Sequence, residues 1–105
     1  MIIDMAATNA ENSSKYRSVS DTTTKHAMRL AIVQEKPIML DYWTKSLDKE
    51  IIIGVRDNGE KLLVKSEEEY TSTVAKIYKV ENDFIIETEN SLYIVSADIV
   101  SKRIS

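Results

Sequence analysis

Between Pro37 and Ile104 the chain is cut into short apolar runs, and none is long enough for the core-facing stripe of a long helix. "EIIIGV", "KLLVKS", "TVAKIYKV", "FIIETE" and "LYIVS" are rich in β-branched, leucine or aromatic side chains. Such runs read as strands, because these side chains pack well on a pleated surface. "RDNGE" separates the first two runs, and Asn58-Gly59 is a strong hairpin signal because both residue types accept positive φ. "END" and "NS" separate the next three runs, which predicts a meander. "PIMLDYWT" reads as a further strand, "ADIV" as a single short turn and "SKRI" as a closing strand.

Upstream of this region the pattern is helical. Asp21-Thr22-Thr23-Thr24 offers several N-cap oxygens. "KHAMRLAIVQEK" then sets Ala27, Met28, Ala31 and Ile32 along neighbouring faces, with Leu30 beside them, as an amphipathic helix does. Pro37 ends it, since proline lacks a backbone donor and pushes the preceding residue out of the helical region. Residues 1–20 carry no periodicity of either kind and read as a flexible N-terminal arm. Its apolar start, Ile2, Ile3 and Met5, is a candidate hook for a neighbouring subunit. Residues 21–105 are then a single domain, mainly β with one helix (α+β). Six or seven short antiparallel strands in one open sheet would leave two bare edges, so the expected solution is a small, bent barrel.

Composition narrows the function classes. The chain has 105 residues, 43% hydrophobic and 30% charged, the balance of a globular domain rather than a disordered one. Its net charge of −3 makes no strong field for nucleic acid or an anionic membrane. The absence of cysteine removes thiolate metal sites, disulfides and cysteine nucleophiles, and fits a reducing, intracellular compartment. Met1-Ile2-Ile3 is followed at once by Asp4, so no secretion signal is expected, and no apolar run approaches membrane-spanning length.

Motifs for catalysis are not found. A calcium loop starting at Asp57 would need ligands where Gly59 and Lys61 stand, and Glu67-Glu68-Glu69 reads as a solvated acidic loop. His26 is the single histidine, no serine lies in a nucleophile elbow, and two glycines make no phosphate-cradling loop. Asp41 could pair with another carboxylate for acid–base work, though pairing with a lysine across a strand is its commoner role. No enzyme activity, metal, cofactor or small-molecule substrate is expected. Aromatic residues are the better candidates. Tyr42 and Trp43, adjacent on a strand, would point to opposite faces, and with Tyr70 and Tyr78 they form a candidate partner-binding surface. Lys76, Lys79, Lys102 and Arg103 become a candidate nucleic-acid contact if the closing strand pairs beside Val74–Val80.

Two resemblances add to this. A helix followed by bent strands, "AKIYKVENDFIIETE" and "LYIVSADIV", resembles the SH3-like and Sm-like small barrels. Asn82 and Asp83 occupy the turn of such a barrel, while Ser96-Ala97 stand where an Sm-like fold has its RNA-contacting basic residue and glycine. That resemblance implies an oligomer that binds RNA or DNA. "KPIMLDYW", "GEKLLVKSEEEYTS" and "TENSLYIVS" resemble small proteins of unassigned function from large cytoplasmic DNA viruses. The implication is a virion or virus-factory protein that works by protein contacts. The leading expectation is a non-enzymatic interaction or structural module that self-associates or joins an assembly through a strand edge, the Tyr/Trp surface and the arm. The alternative is an Sm-like nucleic-acid-binding oligomer.

Overall fold

The runs downstream of Pro37 do form seven strands, but they lie in two sheets and do not close into a barrel. The computed structural model describes residues 16–104. Among these, helix α1 (Asp21–Gln34) is followed by β1 (Ile38–Met39), a short helix α2 (Trp43–Leu47), β2 (Ile52–Val55) and β3 (Lys61–Val64). Then come β4 (Val74–Val80), β5 (Asp83–Thr88), β6 (Leu92–Ser96) and β7 (Val100–Arg103). The first sheet runs β1-β6-β5-β4 and the second β3-β2-β7.

Local signals hold where they were strongest. β2 and β3 form the expected hairpin at Asn58-Gly59, although only Gly59 takes a positive φ, of 91°. Gly59 N–H donates to Arg56 O, and Asn58 Oδ1 accepts from Glu60 N–H, so the turn closes on both backbone and side chain. β4, β5 and β6 make the expected antiparallel meander. Helix α1 begins one residue earlier than the threonine cluster suggested. Its N-cap is Ser20, whose Oγ accepts from Thr23 N–H at 3.1 Å. Glu35 ends it in the left-handed conformation, two residues before Pro37.

Two expectations are corrected. "PIMLDYWT" is not one strand: β1 keeps only Ile38 and Met39, Trp43 N–H donates to Leu40 O, and α2 begins at Trp43. The strands are also not all antiparallel, since β1 pairs parallel to β6 and β7 parallel to β2. The first sheet stays open at its β1 and β4 edges and is covered on both faces. On one side Ala27 of α1 and Trp43 of α2 pack with Ile85, Leu92 and Ile94. On the other, Ile86 and Val95 meet Ile51, Ile53, Leu63 and Ile99 from the second sheet and its flanks. β5 therefore contributes to both cores, which is why "FII" is a continuous apolar run rather than an alternating one. The outer face of the second sheet is partly closed by Ile104. A Cβ on Gly54 would stand 2.7 Å from Ile104 Cδ1, so a larger residue there would push the end of the Ile104 side chain aside.

The packed unit reaches back to Tyr16, whose hydroxyl donates to Asp48 Oδ2. Residues 1–15 of the expected arm, with the Ile2, Ile3 and Met5 hook, lie outside the described residues.

Candidate partner-binding surfaces

The buried carboxylates were not singled out by sequence. Asp83 and Glu87 lie on the same side of β5, with Ile85 between them, and both are buried beneath α1. Asp83 Oδ2 accepts from Thr23 Oγ1 at 2.8 Å and from Ser20 N–H at 3.4 Å. Its other oxygen is held by charge, 2.7 Å from Arg17 Nη1. Arg17 also donates to Asn82 O and lies 5.0 Å over the Trp43 ring, while Trp43 Nε1 donates to Arg17 O. At the other end of α1, Lys36 Nζ donates to Glu87 Oε2 at 2.8 Å and to Thr88 O at 2.7 Å, and the Tyr78 hydroxyl donates to Glu87 Oε1. Each acid is thus matched by a cation and hydroxyl donors, and the two clusters clamp the two ends of the helix onto the sheet. Neither opens a reacting position.

The acids that sequence did flag are at the surface. Asp41 is exposed, and Glu67, Glu68 and Glu69 form an exposed turn in which Ser66 Oγ accepts from Glu68 and Glu69 N–H. Among the described residues no three His, Asp or Glu side chains are grouped to hold a metal ion.

The aromatic surface is largely absent. Tyr42 and Trp43 are both buried, as the N-cap and first residue of α2 rather than as neighbours on a strand. They do enter opposite cores: Tyr42 lies between the sheets and Trp43 under α1. The Tyr42 ring packs 5.1 Å from that of Tyr93. Burial, with help from Tyr93, Glu69 and Asp41, pushes its hydroxyl up to about 12. Burial and Asp41 raise Tyr93 as well. Tyr78 is half-buried against the helix-side core. Tyr70 alone of the four remains outward, 55% exposed, beside an apolar depression of about 450 Å³ that Ile104, Leu62 and Val64 also line.

The four candidate nucleic-acid cations are all exposed, but the pairing that would gather them does not occur. β7, with Lys102 and Arg103, pairs with β2, while β4, with Lys76 and Lys79, pairs with β5 in the other sheet. Arg103 instead approaches Asp57 at 3.9 Å.

The largest exposed apolar groups lie elsewhere. Met28, Ile32 and Val33 on α1 are 53%, 76% and 68% exposed, and Leu40 after β1 is exposed too. Met28 and Ile32 are a turn apart and share one helix face. The signal was present in "AMRLAIV", which is apolar on too wide an arc for a helix with one buried side. No helix among the described residues is long and apolar enough to cross a membrane. Comparison with family models, curated proteins and solved structures finds no match to this chain, so its surfaces have to be read from their own chemistry.

Proposed function

We propose that this chain is a non-enzymatic protein-interaction module, self-associating or part of an assembly. The observation that carries the proposal is the exposed apolar pair Met28 and Ile32 on one face of α1, whose opposite side is already packed on the sheet. A helix apolar on both sides ordinarily lies between two layers, and among the described residues only one of those layers is present. Exposed apolar patches of this kind mark docking sites. Tyr70 and the free edge of β4 are secondary contacts in this scheme. The viral resemblance would set these contacts in a virion or virus factory. The Sm-like alternative, an oligomer binding RNA or DNA, would have to assemble its basic surface from cations on separate sheets.

Light scattering over rising concentration tests the proposal. The expected result is a mass above that of the 11.9 kDa chain, returning to monomer in Met28→Glu/Ile32→Lys with its circular dichroism unchanged. A monomer at every concentration, together with equal capture of any purified partner by wild type and variant, would overturn it.

A further inference from the structure

Three features coincide along the outer edge of β4: free main-chain groups, open space on both sides, and cations without carboxylate partners. β4 is the terminal strand of its sheet and pairs with β5 alone. In an antiparallel pair every second residue turns its N–H and C=O away from its partner. No other strand of the described chain takes up that row. On the helix side, an apolar groove of about 380 Å³ runs between Tyr78 and Val80 of the strand and Arg29, Leu30 and Val33 of α1. Further along, a cleft of about 550 Å³ separates Ala75–Ile77 from the β2–β3 hairpin tip.

The charges around this edge run against the chain as a whole. Net charge is −3, yet Arg29, Lys61, Lys76 and Lys79 line or flank the two cavities, and Glu60 is the one carboxylate that lines either. None of these four cations has a carboxylate within 4.0 Å among the described residues, a state they share with Lys25, Lys49, Arg56 and Lys102, whereas Arg17, Lys36, Lys45, Lys65 and Arg103 each have one.

We infer that β4 accepts an added strand from a partner whose extended segment alternates Asp or Glu with apolar residues. The main chain of that segment pairs with Lys76–Val80, beyond the bulge between Val74 and Lys76. Its apolar side chains enter the helix-side groove beside Leu30 and Tyr78, and its carboxylates, which alternate to the opposite face of the sheet, meet Lys79 and, toward the hairpin tip, Lys61. A second copy of β4 is a poor occupant. Antiparallel self-pairing would set the Lys76 and Lys79 ammonium groups of two copies within a rung or two of each other, and facing like charges destabilise a pair. Edge lysines deter indiscriminate pairing, and a carboxylate-bearing strand is the one they admit. The inference rests on the interaction-module reading and names a partner class for it, but it does not need Met28 or Ile32.

The test titrates the described chain, with its N-terminal residues intact, with a synthetic peptide of alternating Glu and Val, followed by amide NMR at low salt. The expected result is shifts and slowed hydrogen exchange at Lys76–Val80. Affinity should fall about tenfold in Lys61→Glu/Lys79→Glu, roughly the effect of reversing two surface charge contacts, and stay unchanged in Lys49→Glu/Lys102→Glu. A Lys–Val peptide that binds as well would overturn the charge assignment. Equal binding by a backbone N-methylated Glu–Val peptide would overturn strand addition, and so would displacement by oligothymidylate. No binding by any peptide, with concentration-dependent association through Met28 and Ile32 intact, would sink this inference and leave the module reading standing.

Discussion

Helix α1 turns Ala27, Leu30 and Ala31 to the sheet and Met28 and Ile32 away from it. Both sets are apolar, and among the described residues only the first is packed. The inward set is also clamped at its two ends by Asp83 with Arg17 and by Glu87 with Lys36. The difference separates two jobs within one element. Stability of the folded chain resides on the inner side, and the outer side adds little to it, which is the side the proposed partner contact would use.

That contrast can be broken from the inside first. Ile85 is fully buried beneath the helix, and Ile85→Ala should lower stability by about 3 kcal/mol in urea unfolding, the cost of lost transfer and an unfilled cavity. A loss under about 1 kcal/mol would mean that the inner core does not anchor the helix. Arg17→Met comes next. It leaves the Asp83 carboxylate buried with only Thr23 and Ser20 as donors, and should cost about 2 kcal/mol, below the usual range for a broken buried pair because Arg17 is partly in water. Adding Asp83→Asn should recover part of that loss, because it removes the unpaired charge. If the double variant is no more stable than the single one, charge is not what the clamp supplies.

Glu35→Gly should raise the melting temperature slightly, by the equivalent of about 0.5 kcal/mol. Glu35 caps the helix at φ 55°, a conformation that glycine adopts without steric cost. The smallest effect is expected on the outer side: Met28→Glu/Ile32→Lys should change the unfolding free energy of the monomer by less than about 0.5 kcal/mol. A larger loss would erase the distinction between the two sides.

What was legible in the sequence was local. Asn58-Gly59, the turns after Val80 and Thr88, and Pro37 each act through their own backbone, and the hairpin, the meander and the helix end all follow from them. The parallel pairs were not legible, because Ile38–Met39 is too short to show periodicity and its partner lies far along the chain. "YWTKSL" was ambiguous between strand and helix, and its fate was decided by two cores that take Tyr42 and Trp43 separately. The barrel expectation assumed that bare edges must be hidden by closure, while here helix and second sheet cover the faces and lysines guard the edge. For the candidate surface, Lys76 and Lys79 were singled out in the sequence, but as nucleic-acid contacts grouped with Lys102 and Arg103. Their neighbours were not, since Arg29 and Lys61 come from elements that only the fold brings beside β4.

The parallel pairing of β7 with β2 bears on how the chain reaches this state. β3, β4, β5 and β6 all lie between the two strands in sequence, so their meeting closes a large loop. During synthesis the β2–β3 hairpin emerges long before β7, and an isolated hairpin is marginal in water. The second sheet is therefore expected to consolidate last, when Ile99 enters the core and Ile104 covers Gly54. Until then the apolar sides of Ile51, Ile53 and Leu63 are exposed to chaperones and to other nascent chains.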